Sequence, residues 1–320
     1  KPICEKLNNK LKENIKLITK DIRKISSKDI FNDKDERIVM LENLRFYEEE
    51  EKNDNNFAKC LSTLADIYIN DAFSCSHRAH ASIFQITEFL PSFVGLQFNK
   101  EIDALTKITT QIKRPVTCII GGSKISTKIN IIKNLIHKFD NIIIVGAMAN
   151  NILKYKGHNI GKSIQEENCN QIIDDIFSLA VKKNCKIIYP QDVCVGKSLN
   201  GSGKIKSINA VSDDELILDI GVQSIKKIIS IIEESNTILW NGPAGYFENP
   251  NFAKGSFEIG KKIIEKNLNN TIFSVAGGGD TVALINKMNA IDSFNFVSTA
   301  GGAFLEYLEG KEIPGIRALN

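Results

Sequence analysis

Three glycines, an aspartate and a threonine stand together at Gly277, Gly278, Gly279, Asp280 and Thr281. The apolar residues Ile272, Phe273 and Val275 precede them, and an apolar-periodic stretch runs on through Met288. This order predicts a strand, a tight turn and a helix beginning at Asp280 or Thr281. Backbone without side chains can approach a ligand closely, and successive N–H groups can converge on an anion. A helix start adds its unpaired N–H groups and the positive end of its dipole. A phosphate suits such a turn, and Asp280 stands where a carboxylate can bind Mg²⁺ directly or through water. The same residues also describe an ordinary sharp turn with Asp280 as N-cap, so their meaning depends on the rest of the chain.

Further groups can join them. Gly121-Gly122-Ser123-Lys124 follows the buried-type run Val116–Ile120 and leads to Lys128. The glycines make a flat floor for a base or a phosphate. Lys124 and Lys128 are four residues apart, a spacing that predicts two ammonium groups on one helix face, an arrangement suited to a polyphosphate. Solvated surface lysines fit that spacing too. The Walker A pattern Gly-x4-Gly-Lys-Ser/Thr is absent. Asn241, Gly242, Pro243 and Gly245 shape a loop after another apolar run, and Glu248 offers a carboxylate for ribose hydroxyls. In the first half, Arg45 and Arg78 supply guanidinium forks for a carboxylate or phosphate, or else pair with surface acids.

The elements that must position these groups can be read from the pattern of apolar runs. Residues 1–30 read as a lysine-rich amphipathic helix and an extended stretch around Ile15–Ile18. Arg37–Leu41 and Ile67–Ile69 read as strands, Phe57 to Ala65 as a helix, and Asn99–Thr109 as a connecting helix. From Pro115 onward, the runs 116–120, 142–145, 185–189, 216–220, 237–239 and 272–275 alternate with helical patterns. Runs apolar on both faces indicate a parallel sheet covered on both sides, with ligands bound at its carboxyl edge.

At 320 residues the chain is comfortable for two domains. A formal charge of +3 is too small to indicate a nucleic-acid partner. No run has membrane length and no signal segment is evident. Seven cysteines, an odd number without a Cys-x-x-Cys pair, argue against a disulfide framework and make a reducing cytoplasm the expected setting. His77 and His80 lack the companions a metal cage needs.

Together the motifs resemble the phosphoglycerate kinase family. They are LENLRFY (41–47), NDAF-x3-HRAH (70–80), IIGGSKISTKI (119–129), GAMANN (146–151), LDIG (218–221), ILWNGPAGYFE (238–248), FAKGS (252–256), SVAGGGDT (274–281) and STAGGAFLEYLEGK (298–311). The resemblance covers nearly the whole chain in family order. It implies an α/β fold of two doubly wound, Rossmann-like parallel-sheet domains joined by a helical hinge. Residues 1–95 with the returning tail 303–320 would form the phosphoglycerate-binding domain, here incomplete. Residues 96–112 would be the interdomain helix, and 113–302 the nucleotide-binding domain. The implied reaction is reversible phosphoryl transfer between 1,3-bisphosphoglycerate and Mg-ADP, giving 3-phosphoglycerate and ATP, by a monomer.

By the same resemblance, Gly121, Gly122, Gly221, Asn241, Pro243 and Glu248 would form the nucleotide site. Lys124 would hold the nucleotide phosphates, and Lys128 would lie near the phosphoryl in transit. Gly277, Gly278 and Gly279 would present N–H groups to that phosphoryl, with Asp280 and Thr281 at the metal-phosphate end. Arg45 and Arg78 would hold phosphoglycerate. Gly95–Thr109 and Ser298–Gly302 are hinge candidates. The family's opening Asp-Phe-Asn-x-Pro and Ser-His-x-Gly-Arg-Pro motifs are absent, and Ser74 and Ala300 replace usual glycines. The chain as given is therefore expected to bind nucleotide better than it catalyses, with unpaired sheet edges in its first half. The alternative is a non-catalytic nucleotide-binding remnant that serves as an interaction module.

Overall fold

The computed structural model describes residues 1–30 and 37–320. The chain divides into two compact units, Lys1–Lys100 with Glu312–Asn320, and Glu101–Lys311. The second unit is built on six parallel strands. They are β5 (Val116–Ile120), β6 (Asn141–Ile144), β7 (Lys186–Ile188), β11 (Thr237–Asn241), β12 (Phe273–Gly277) and β13 (Phe296–Ser298), ordered β13-β12-β11-β5-β6-β7. Every residue of β5 and β11 is buried, as expected where both sheet faces are covered. Their register pairs Asn241 with Ile120, while Trp240 on the other side pairs with Ala276. Parallel pairing therefore brings the ends of β5, β11 and β12 to one edge. The turns at 121–122, 241–243 and 277–279 thereby become neighbours.

The core beneath that edge joins Ile119, Ile143, Ile238, Trp240, Ala276 and Leu284. Trp240 is fully buried, and its Nε1 donates to the Gly242 carbonyl at 2.9 Å. The indole thus fills the core while its N–H fixes the turn above it.

The 216–220 run does not join the parallel sheet, contrary to its apolar pattern. It forms β10 (Leu216–Ile220), which pairs antiparallel with β8 (Asp192–Gly196), and β8 pairs antiparallel with β9 (Lys204–Ser207). Between β8 and β9 the Lys197–Gly203 stretch is too short for the crossover that parallel pairing requires, so that pair is a hairpin, and β10 adds to its other side.

The first unit holds two separate two-stranded parallel sheets. One pairs β1 (Ile15–Ile18) with β2 (Ile38–Leu41), and the other pairs β3 (Tyr68–Asn70) with β4 (Ser92–Val94). Its core gathers Ile18, Ile22, Phe57, Ala58, Leu61 and Ile86. Ile69 and Phe93 are register partners, yet they remain 61% and 54% exposed. Among the described residues, these short sheets do leave unpaired edges and apolar surface.

The tail divides differently from the expected 303–320. The Gly302–Leu308 helix stays with the second unit, where Asn134 Nδ2 donates to the Leu308 carbonyl at 2.7 Å. Only 312–320 lie with the first unit, where Gly315 N–H donates to the Ser76 carbonyl at 2.8 Å and Arg317 stacks over Phe84. The Leu96–Thr109 helix contains the passage from one unit to the next. No helix of the described residues is long and apolar enough to cross a membrane.

Candidate active site

β12 ends at Gly277, and the following helix, Gly279–Lys287, starts one residue earlier than its sequence pattern predicts. Gly278 makes the turn at φ 97°, a conformation that side chains disfavour. A Cβ there would lie 2.6 Å from Asn241 Nδ2, so the turn closes directly onto that amide. Asn241 Nδ2 donates to the Gly277 carbonyl at 2.6 Å. Its Oδ1 accepts from Lys128 Nζ at 2.5 Å, and Nζ also donates to the Gly121 carbonyl at 2.7 Å. One ammonium and one amide thus tie together the ends of three neighbouring strands. Gly242 N–H donates to Thr281 Oγ1 at 2.7 Å, adding a second tie between two of them.

This framework shapes the electrostatics. Burial lowers the Lys128 ammonium to about 8, while the Cys118 thiol and the Asp280 carboxylate act in the opposite direction. Two of its three donors are used by protein oxygens, leaving one for a ligand. Asp280 is exposed at the start of the Gly279–Lys287 helix. An ammonium, a helix N-terminus and an exposed carboxylate in one place suit an anion accompanied by a metal ion. No group of three or more His, Cys, Asp or Glu among the described residues is arranged to hold a metal by protein ligands alone.

A cleft of about 270 Å³ lies beside this edge. Gly122, Pro243, Glu248 and Asp280 line it, as do Asn150, Leu153, Leu218, Asp219 and Tyr246. Gly121 supports the floor from below, since a Cβ there would meet the Pro243 carbonyl at 2.4 Å. Asn241 and Thr281 are buried within the framework and do not line the cleft. Gly221 lies outside its lining as well, packed where a Cβ would stand 2.2 Å from the Asp192 carboxyl carbon.

Lys124 is also placed differently from its four-residue spacing. Residues 121–125 are not helical, a 3-10 turn occupies Ser126–Lys128, and the α-helix spans Ile129–Ile136. Glu166 accepts from Ser126 N–H at 3.0 Å and from the Ser126 hydroxyl, which delays the helix. Lys124 therefore shares no helix face with Lys128 and is exposed before the turn.

Asn150 and Asp219 stand in the GAMANN and LDIG stretches, where neither is given a role of its own. Asp219 is buried, and burial raises its carboxyl to about 7 against the lowering by the Gly255 and Ile220 N–H groups it accepts from at 2.8 Å. Its weak signal was the lone charge in an otherwise apolar strand.

In the first unit, Arg45 and Arg78 are both exposed. Burial lowers the His80 imidazole, and both guanidiniums lower it further, while the adjacent Glu50 opposes them. The two arginines therefore act on one neighbourhood. The nearby His77 Nδ1 is buried and has no hydrogen-bond partner among the described residues.

The family model for phosphoglycerate kinase matches residues 1–311. The phosphoglycerate kinase of Wolbachia sp. subsp. Brugia malayi (strain TRS) is 44% identical, over 100% of this chain and 79% of its own length. That of Methylorubrum extorquens (strain PA1) is 42% identical over 100% of this chain and 80% of its own. Among solved structures, phosphoglycerate kinase from Coxiella burnetii has a TM-score of 0.89 at 34% identity, covering 99% of this chain and 80% of its own. The Pyrococcus horikoshii OT3 enzyme gives 0.81 at 28% identity, with 99% and 81% covered. The chain belongs to the phosphoglycerate kinase family, phosphotransferases that use a nucleotide and a phosphoglycerate carboxyl group as substrates.

Proposed function

We propose that the cleft of the second unit holds the nucleotide, with its phosphates directed to the edge where β5, β11 and β12 end. The Lys128–Asn241–Gly277 framework carries this reading, because it holds an ammonium beside a glycine turn and a helix N-terminus. Phosphoryl transfer requires in-line positioning and neutralisation of the equatorial oxygens, and little covalent help from the protein. Lys128 and the N–H groups of Gly277, Gly278 and Gly279 are the proposed catalytic groups. Gly122, Pro243 and Glu248 shape the nucleotide's seat, Gly121 and Asn241 support it, and Thr281 fixes the turn above. Lys124, exposed before the Ser126–Lys128 turn, is a proposed phosphate contact. Gly221 acts at a distance, by letting β10 end against Asp192. Arg45 and Arg78 are the proposed phosphoglycerate contacts, their forks matching carboxylate and phosphate.

Mg²⁺ fits this site as a partner of the substrate. A single exposed carboxylate is too little for an all-protein cage, but it suits an ion bound mainly by phosphate oxygens and water. When bound, the ion would neutralise phosphate charge, and Asp280 would orient it. Every proposed nucleotide contact comes from one unit of one chain, consistent with a monomer as the working form. Titration of ADP with and without Mg²⁺ into the native protein and Asp280→Asn tests the metal assignment. Mg²⁺ should strengthen native binding about tenfold, and the gain should shrink in the variant. An equal Mg²⁺ gain in both proteins would remove Asp280 from the metal site.

A further inference from the structure

Lys128 closes the Ser126–Lys128 turn, and its N–H donates to the Ile125 carbonyl at 3.0 Å. Residues 121–125 before the turn are not helical, so no preceding helix orients it. Ile125 is fully buried and anchors the turn, but apolar burial is not directional. The directional contacts come from Glu166. Its Oε2 accepts from Ser126 N–H at 3.0 Å, and its Oε1 accepts from the Ser126 hydroxyl. The Ser126 hydroxyl, with the Ser126 and Ile125 N–H groups, holds the Glu166 carboxyl below its usual range, and partial burial opposes them. Glu166 is itself pinned. Its N–H donates at 2.7 Å to Oδ1 of Asn151, which is 2% exposed on the Ala147–Tyr155 helix.

Two charge-assisted hydrogen bonds to one carboxylate fix the rotation of a turn as well as its place. Lys128 follows two residues later, and its Nζ must reach the Gly121 carbonyl and Asn241 Oδ1 together. A turn held in advance spares the ordering that a loose one would need when a ligand binds. Glu166 also acts by charge, since its carboxylate and the exposed Lys124 ammonium attract each other. Geometry and charge can be separated. A glutamine at 166 has no charge, yet its oxygen can accept from Ser126 N–H while its NH₂ donates to the Ser126 hydroxyl. An alanine there loses charge and contact alike.

Resting on the nucleotide reading of the second unit, we propose that Glu166 is a positioning residue, which aims Lys128 at the nucleotide phosphates by holding the Ser126–Lys128 turn. Calorimetric titration of Mg-ADP into Glu166→Gln and Glu166→Ala tests it. Glu166→Ala should bind about fivefold more weakly than Glu166→Gln, although both lack the charge. In a Lys128→Ala background the same two substitutions should differ by a factor of about one, because the group they aim is gone. The pH profile adds a readout that a general loss of fold would not move. Burial holds the Lys128 ammonium near 8, with the Cys118 thiol and the Asp280 carboxylate acting against it. Affinity should therefore fall above about 8 in Glu166→Gln, and only nearer the ordinary 10.5 in Glu166→Ala, where a loosened Lys128 reaches water. Equal affinities of the two variants would overturn the proposal, as would a ratio that survives Lys128→Ala, or identical pH profiles. If Glu166→Ala does not fold, Ser126→Ala is compared with native protein instead, with a loss of about threefold expected that vanishes beside Lys128→Ala. An equal loss in both backgrounds would overturn the proposal in that case. Failure of Mg-ADP to bind folded native protein would instead overturn the nucleotide reading, and the role of Glu166 with it.

Discussion

Burial holds the Lys128 ammonium near 8, so its charge depends on pH in a range where an exposed lysine stays protonated. Nucleotide phosphates favour the charged form and so raise its pKa in the complex. Between about 8 and that raised value, binding must take up a proton, and affinity must fall as pH rises. The expected slope approaches a tenfold loss per pH unit above about 8. Calorimetry in buffers of different ionisation enthalpy, between pH 7 and 9.5, would read both the slope and the proton uptake. The sign for stability is opposite. The native pKa lies below the ordinary value of 10.5, so the unfolded chain binds more protons between about 8 and 10.5, and this group's contribution to stability rises across that window. Spacing alone left Lys128 indistinguishable from a solvated surface lysine, and only the family motif gave it a role. Asn241 is a buried brace as well as a candidate contact, and an amide's two ends show their partners only when distant strands meet.

The segment from Phe273 to Lys287 was legible as an element because its strand, turn and helix are set by local residues. The late start of the Ile129–Ile136 helix was hidden, since the Ser126 turn before it is held by Glu166, forty residues away. The antiparallel β8–β9–β10 sheet was hidden for a related reason, as a buried apolar run does not reveal the direction of its neighbour. The Gly279–Lys287 helix also links two ends of the proposed site. At its C-terminal end, Lys287 Nζ donates to the Phe247 and Glu248 carbonyls at 3.1 and 3.4 Å. On the proposed reading, Lys287 would position Glu248 through its main chain. Lys287→Met should weaken Mg-ADP binding about fivefold while leaving turnover at saturating nucleotide unchanged. In a double-mutant cycle with Glu248→Gln the two losses should not add. Full additivity in the measured KM values would separate Lys287 from Glu248.

Across the whole molecule, the two units have separate cores of unequal quality. The second unit covers a six-stranded sheet, whereas the first relies on two short strand pairs with Ile69 and Phe93 left in water. The sequence pattern made the first unit's strands recognisable one by one, but the way they pair depends on contacts between segments far apart in the chain. The family relation covers residues of both units, whereas every proposed nucleotide contact falls within the second. Calorimetric titration of Mg-ADP into the full chain and into Lys128→Ala tests this most directly. Saturable one-to-one binding by the native protein is predicted, with affinity at least tenfold lower in a folded Lys128→Ala. No binding by folded native protein, or equal affinity in the two, would contradict it.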